Sequence, residues 1–280
     1  MQKSDTNRIS PLRIFILIAA AAVFCWAGYQ LLGYFLENAQ ADKGNQSLID
    51  QAVTIVETVG ETTPTEMVDS NSEAQPSQET LLKPESDQTE IPISVDFALL
   101  QQSNPDIIAW IYCPDSPINY PVVQAEDNQY YLGRLPDGTY NSAGTIFADF
   151  RNGQDLSDRH TLIYGHNMRN DSMFSCLSGY RKQEYYEEHP VMWLITPKKA
   201  YCVELFAGFV TRADSDSYSL FDTDADLHNY VEKIIDESTF DAPVDLSQIN
   251  QIVTLSTCTY EGVDKRYIVI GAMHEIEITE

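Results

Sequence analysis

Apolar and polar residues divide the N-terminal third of the chain into two contrasting stretches. Residues 14–36 run for 23 residues without a charged side chain. A bilayer core of about 30 Å requires about 20 helical residues, so this stretch is long enough to cross a membrane. Residues 37–92 are rich in Ser, Thr, Gln, Glu and Pro. Such a segment buries too little apolar surface to offset its chain entropy, which predicts a flexible acidic stalk.

Flanking charges give the apolar stretch an orientation. Arg13 precedes it, and Glu37 and Asp42 follow it. Because positive charge stays on the cytoplasmic side, residues 1–13 are predicted to be cytoplasmic and everything after residue 36 to be extracellular. The alternative is a signal peptide cleaved near Ala39-Gln40-Ala41. The apolar core of a signal peptide is about 7–15 residues, which is shorter than this run, so an uncleaved single-pass anchor is the preferred interpretation.

Residues 93–280 show the pattern of a folded domain that is mainly β. Short apolar or alternating runs bounded by turn residues predict eight strands. Few helices interrupt them, and the clearest lies near 226–238, with Leu227, Tyr230 and Val231 on one face. Many short strands with few helices predict a closed or nearly closed β-barrel. The predicted strands are Ile107–Cys113, Ile118–Val123, Gly144–Ala148, His160–Tyr164, Val191–Thr196, Ala200–Val210, Gln251–Ser256 and Arg266–His274.

Composition excludes some functional classes. The chain has 17 Lys and Arg against 42 Asp and Glu, a net charge of −25, which argues against binding to nucleic acid phosphates. The sequence contains no CxxC pair and no Cys/His cluster with zinc spacing, so we expect neither a metal site nor a cofactor. Cys113, Cys176 and Cys202 lie in apolar contexts and are interpreted as small buried residues. A disulfide among these three remains open.

Cys258 is the strongest candidate for chemistry. It follows the apolar strand pattern of Ile252–Ser256 and precedes a polar turn. A thiolate in such a place is a strong nucleophile if a neighbouring cation lowers its pKa. On position alone, a plain loop cysteine is an equally good interpretation.

His166 and Arg266 also lie at predicted strand edges. His166 follows an apolar strand and a glycine, where its ring can act as an acid or base, although a lone histidine is more often structural. Arg266 opens an apolar strand, and it either discourages edge pairing or places a cation near Cys258. The other histidines compete with His166 on composition alone. They are His160, His189, His228 and His274.

These motifs together resemble those of the sortases. Thr254-Leu255-Ser256-Thr257-Cys258, Arg266 on the next strand, and Tyr164-Gly165-His166-Asn167-Met168 upstream carry the resemblance. The helix near 226–238, Asn128-Gln129-Tyr130-Tyr131-Leu132 and Ala143-Gly144-Thr145-Ile146-Phe147 are similar to class B members in particular. The resemblance covers roughly residues 93–280. It implies an eight-stranded β-barrel and a membrane-bound cysteine transpeptidase, typical of Gram-positive bacteria.

The resemblance also implies roles for individual residues. Cys258 would be the nucleophile that attacks a sorting motif near the C-terminus of a secreted protein and forms a thioacyl intermediate. His166 would be the general acid and then the base, and Arg266 would hold the substrate and stabilise the oxyanion. The implied acceptor is an amine of a cell wall precursor or of a pilin lysine. The positions that match the substrate groove are Asn128, Leu132, Tyr164, Ser256 and Thr257.

The sequence departs from some class B members at Tyr260, where those members carry an acidic residue, so no Asp-assisted triad is inferred. Two alternatives stay open at this point. An exported cysteine hydrolase would use the same chemistry with water as the acceptor. A membrane-anchored binding module would carry an incidental cysteine. The sorting motif, and the choice between wall anchoring and pilus assembly, are not determined by the sequence.

Overall fold

A computed structural model describes residues 11–56, 91–259 and 261–276 of the chain. Four α-helices lie in these ranges, α1 (Pro11–Ala52), α2 (Phe97–Ser103), α3 (Gln183–Glu188) and α4 (Asp224–Ile234). Two short strands, β1 (Val53–Ile55) and β2 (Ile93–Val95), form an antiparallel pair. The remaining strands are β3 (Ile107–Tyr112), β4 (Asn119–Val123), β5 (Phe147–Ala148), β6 (His160–Tyr164), β7 (Val191–Ile195), β8 (Ala200–Arg212), β9 (Ile252–Cys258) and β10 (Lys265–Ile276).

The strands β3 to β10 close into a barrel in the order β10-β8-β7-β3-β4-β5-β6-β9. This confirms the predicted eight-stranded architecture. Neighbouring strands are antiparallel except for β4 with β5 and β6 with β9. Closure leaves the barrel without a free edge, because β9 also pairs with β10. The parallel pairing of β6 with β9 joins two segments that are far apart in sequence.

The apolar run of β10 reflects burial on both of its faces. Tyr267 and Val269 point into the barrel interior, whereas Ile268 and Ile270 belong to a second apolar cluster that includes residues of α4. Because successive side chains of a strand point to opposite faces, only a strand covered on both sides reads as continuously apolar. The helix α4 therefore acts as the outer cover of this part of the barrel.

The helix predicted near 226–238 begins slightly earlier in the structure. Thr223 caps α4, since its hydroxyl accepts a hydrogen bond from the backbone N–H of Asp226 at 3.2 Å. The last residues of the prediction, Ile235–Glu237, form a 3₁₀ turn. The strand predicted over Gly144–Ala148 is shorter than expected, because only Phe147 and Ala148 pair as β5.

The structure contradicts the prediction of a stalk over its first part. The apolar stretch continues as one helix to Ala52, and β1 follows directly. Ala41 and Ala52 are buried, and Asn45 Nδ2 donates to the carbonyl of Asn119 at 3.1 Å. Polar composition predicted disorder, but these few contacts with the barrel provide the burial that the segment lacks by itself. The rest of the predicted stalk, residues 57–90, lies outside the described residues.

Candidate active site

Cys258 occupies the last position of β9. Residues 252–257 of this strand are buried, whereas Cys258 is exposed where the strand leaves the barrel. Arg266 lies directly opposite Cys258 in the antiparallel pairing of β9 with β10. Side chains of directly opposed residues stand on the same face of a sheet with Cβ atoms about 4.5–5.5 Å apart. The turn between these two strands therefore brings a guanidinium beside a thiol.

His166 reaches the same place through the parallel pairing of β6 with β9. Tyr164 is in register with Ser256, and His166 and Cys258 each follow two residues later. The two backbones stay joined beyond the strand, because Gly165 N–H donates to Ser256 O at 3.1 Å and Thr257 Oγ1 donates to Gly165 O at 2.9 Å. Two positions along a strand restore the same face, so both side chains emerge at one edge of the barrel.

The three residues open into one cleft of about 410 Å³. All five residues that matched a substrate groove also line it, namely Asn128, Leu132, Tyr164, Ser256 and Thr257. Thr257 is buried, and its hydroxyl is already bonded to Gly165 O. Its side chain therefore supports the floor of the cleft. Ser256 is also buried, and its Oγ pairs with the phenol of Tyr218 at 2.8 Å.

A backbone carbonyl orients the His166 ring. His166 Nε2 lies 2.8 Å from Leu132 O, and a carbonyl only accepts hydrogen bonds, so Nε2 carries a proton. Nδ1 is then the nitrogen that is left to exchange a proton. Among the described residues, Cys258 Sγ makes no hydrogen bond, while its backbone carbonyl accepts one from Asn167 Nδ2 at 2.8 Å.

Gly144 allows the loop under His166 to turn tightly. Its φ of +62° falls in the left-handed region, and a Cβ there would lie 2.7 Å from Tyr131 O and 3.1 Å from His166 Cδ2. A side chain at this position would thus displace both the histidine ring and the segment that carries its hydrogen-bond acceptor.

Arg266 keeps its charge available to the cleft. Its Nη1 donates to Lys265 O at 3.1 Å, and no carboxylate in the described part of the chain forms an ion pair with it. Burial raises the pKa of the nearby Tyr218 phenol, while its hydrogen bond to Ser256 and the charge of Arg266 act in the opposite direction. The arrangement offers a thiol, a proton donor and a cation around one open space.

Comparisons with known proteins identify the family. Sortase B of Listeria monocytogenes is 36% identical over 163 residues, which is 58% of this chain and 66% of that relative. Sortase B of Staphylococcus aureus is 30% identical over 184 residues, covering 64% of this chain and 75% of the relative. The chain belongs to the class B sortases. No protein-family model matches it.

Solved structures of class B sortases have the same fold. Sortase B of Bacillus anthracis in complex with AAEK1 gives a TM-score of 0.64 at 28% identity, covering 85% of this chain and 98% of that one. The S. aureus sortase B–substrate complex gives a TM-score of 0.60 at 28% identity, covering 65% of this chain and 85% of that one. Class B sortases are cysteine transpeptidases, and the resemblance drawn from the sequence motifs is confirmed at this level.

The competing histidines of this sortase all lie away from the cleft. His160 is fully buried, and its Nδ1 donates to Ser219 O at 2.7 Å. Burial lowers the pKa of this ring to about 4, so it is neutral at ordinary pH. His189 is buried, His228 lies on α4, and His274 is near Glu204 on the barrel wall. None of the four lines the cleft.

The structure also answers the question about the cysteines. None of the five cysteines forms a disulfide, and only Cys25 and Cys258 are exposed. Burial raises the pKa of the Cys113 thiol and raises that of Cys176 to about 12. These two thiols are therefore poor nucleophiles. The described residues contain no group of His, Cys, Asp and Glu that could hold a metal ion.

Several residues of the cleft were not predicted from the sequence. Asp149 comes directly after β5 and Arg151 comes two residues later, so an acidic and a basic residue close together at a strand end were the available signal. Tyr218 comes from the segment between β8 and α4. This segment has no apolar pattern from which the position of Tyr218 in the fold could be predicted. Phe147 and Ala213 complete this group. Tyr260, the position that departs from the family pattern, lies outside the described residues.

Proposed function

We propose that this sortase is a membrane-anchored transpeptidase that cleaves a C-terminal sorting motif of secreted proteins. It then transfers the cleaved protein to an amine of a cell wall precursor or of a pilin. The observation that carries the proposal is the in-register exit of β6 and β9, which places His166 and Cys258 at one edge with Arg266 opposite the cysteine.

The first half of the reaction forms an acyl-enzyme. Cys258 attacks the scissile carbonyl as a thiolate, an S–C bond forms, and the carbonyl oxygen becomes an oxyanion beside the Arg266 guanidinium. Collapse of this intermediate breaks the C–N bond. His166 then supplies the proton that the leaving amine needs from its Nδ1 position, because Nε2 is occupied by Leu132 O.

The second half reverses these roles. An incoming amine enters the same cleft, His166 removes its proton, and the new C–N bond displaces the Cys258 thiolate. No reductant or cofactor is required, because acyl transfer conserves oxidation state. Asn128, Leu132 and Tyr164 offer the wall against which an extended peptide would lie.

Membrane anchoring is part of the proposal. The helix α1 contains a segment that is long and apolar enough to cross a membrane. Beyond residue 36 it continues into contact with the catalytic domain, where Asn141 Nδ2 donates to Glu37 O at 2.9 Å. Asn45 lies about 13 Å further along a helix than Leu36, so the barrel would sit close to the membrane surface. Burial of Ala41 favours retention of this helix over cleavage nearby.

The proposal is tested with full-length protein in detergent and a peptide library that ends in diverse candidate sorting motifs. Wild-type protein should cleave a subset of peptides and join them to an added amine, whereas Cys258→Ala should do neither. Cys25→Ala is the matched control, since it removes the other exposed thiol and leaves the cleft intact. Transfer by Cys258→Ala would refute the mechanism.

Product analysis separates the transpeptidase from the two alternatives. Hydrolysed product at saturating amine would indicate an exported hydrolase. Labelling by iodoacetamide addresses the binding module: Cys258 should react faster than the buried Cys113 and Cys202 and the half-buried Cys176. Equal and slow labelling of all four would favour an incidental cysteine.

A further inference from the structure

The cleft contains an ion pair, between the buried Asp149 and the exposed Arg151, that the proposed chemistry does not use. Asp149 is completely inaccessible to solvent. Its Oδ1 accepts from Arg151 Nε at 2.8 Å, and its Oδ2 accepts from Arg151 Nη2 at 2.8 Å. This is the two-pronged geometry in which a guanidinium binds a carboxylate most strongly.

The carboxylate is also the acceptor for two residues of the cleft wall. Asn128 Nδ2 donates to Asp149 Oδ2 at 3.0 Å, and Tyr164 OH donates to the same oxygen at 2.8 Å. Burial alone would raise the pKa of Asp149, but hydrogen bonds from Arg151, Tyr164 and Asn128 lower it to about 2. The carboxyl is therefore ionised at any working pH and serves only as an acceptor.

The network fixes how Asn128 faces the cleft. Its Oδ1 accepts from Phe150 N–H at 3.0 Å, so the oxygen and nitrogen of the amide are assigned by their partners. One N–H of Nδ2 is used by Asp149. The second N–H is left for a substrate, and it is the kind of donor that a peptide carbonyl binds.

Arg151 extends the same network to the opposite wall. Besides its two bonds to Asp149, it donates from Nη2 to Tyr218 O at 3.1 Å. The Tyr218 ring stacks on the Tyr164 ring with centroids 6.1 Å apart. The ion pair thus connects three cleft-lining residues that come from separate parts of the chain, Asn128, Tyr164 and Tyr218.

Stability alone is a weak reason for such a pair, because the Arg151 side chain is 40% exposed and ion pairs with a solvent-exposed partner contribute little to stability. Here every side chain that bonds to the carboxylate lines the cleft. We propose that Asp149 and Arg151 are positioning residues that hold Asn128, Tyr164 and Tyr218 in place to bind the backbone of the sorting peptide. The pair thereby sets the KM for the peptide and leaves the reactivity of Cys258 unchanged. This inference rests on the proposed transpeptidase function.

Asp149→Asn is the principal test. The replacement keeps the shape but substitutes a donor for one acceptor oxygen, so Arg151, Asn128 and Tyr164 lose a common partner. With full-length protein and the peptide that wild type cleaves fastest, we expect KM to rise about 10-fold or more, the loss associated with one hydrogen bond to a charged group. We expect kcat per titrated Cys258 thiol and the rate of iodoacetamide labelling to stay within about threefold, because neither depends on these contacts.

Two further variants keep the test decisive. Asp224→Asn is the matched control, since it removes an Asp partner from the Nε of another arginine, Arg159, on the exposed surface. It should leave KM unchanged. Arg151→Lys keeps the positive charge beside Asp149, but a lysine cannot bind both carboxylate oxygens as the guanidinium does. This variant replaces Asp149→Asn in the test if Asp149→Asn fails to fold. A raised KM is expected for it as well.

The outcomes discriminate among the possibilities. A raised KM with kcat preserved supports positioning. An unchanged KM in the folded variants, with activity lost only in proportion to titrated thiol, would mean that the pair is purely structural and would overturn the inference while leaving the proposed function intact. A wild-type protein that transfers no peptide would overturn both.

Discussion

Gly165 connects the strand β6 to His166, and its lack of a side chain is required by packing. A Cβ built there would lie 2.4 Å from Ile146 Cδ1 and 2.8 Å from the Phe174 ring, whereas ordinary contact begins at 3.4 Å. Ile146 and Phe174 are both fully buried and have little room to move. Gly165→Ala should therefore push the backbone or its neighbours by about 0.6–1 Å, the difference between these distances.

This displacement should be seen both in stability and in catalysis. Overpacking of this kind costs about 1–3 kcal/mol of unfolding free energy, and each kcal/mol lowers Tm by about 2–4 °C in a domain of this size. A shift of about 1 Å at a reacting group reduces the rate by up to about 100-fold. We expect kcat/KM for peptide transfer by Gly165→Ala to fall by about 10-fold to 100-fold. Thermal unfolding and steady-state kinetics on the same preparation measure the two effects.

Gly271→Ala is the matched control. A Cβ there would lie 2.4 Å from Val203 Cγ1, the same closest approach, but Gly271 is in β10 five residues beyond Arg266. We expect a comparable loss of Tm with kcat/KM nearly unchanged. If Gly165→Ala kept wild-type kcat/KM, or if Gly271→Ala lost as much, the link between packing at Gly165 and the position of His166 would be refuted.

Two other expectations concern stability. Because burial lowers the pKa of His160 to about 4 from 6.5, its contribution is fully present above pH 6.5 and is lost as the pH falls towards 4. Urea unfolding should show this loss, up to about 3 kcal/mol, in wild type and in His228→Gln but not in His160→Gln. Asn141→Ala should cost about 1–3 kcal/mol in thermal unfolding, since buried Asn141 bonds to Glu37 O and Ala143 N. Exposed Ser142→Ala should cost less, and equal losses would contradict a structural role for the buried amide.

Local sequence pattern predicted most of the barrel because each strand carries its own signal. The runs at β3, β6, β7 and β9 are apolar and bounded by turn residues, and they appear in the structure within a residue or two of their predicted ends. The strand β5 was overestimated, since only two residues pair with neighbours there. Its length depends on where β4 and β6 pass, which no local pattern records.

The prediction of a flexible stalk was wrong over residues 37–52 for a related reason. Polar composition correctly indicates that residues 37–52 cannot form a core by themselves. The structure keeps them helical because Glu37 and Asn45 meet acceptors or donors on the barrel, more than 70 residues away in sequence. Contacts between residues so far apart in sequence cannot be predicted from local composition.

The candidate site likewise has features that the local sequence predicts and features that depend on the fold. Local patterns alone predicted that Cys258, His166 and Arg266 lie at strand ends, and the motifs around these residues indicated the family that the comparisons then identified. Whether these strand ends meet depends on how distant strands pair in the fold. The parallel register of β6 with β9 and the opposition of Cys258 and Arg266 place them in one cleft. The fold also brings the partners of Asp149 together in that cleft. The groups that hydrogen-bond to a buried charge are determined by the fold and not by neighbours in the chain.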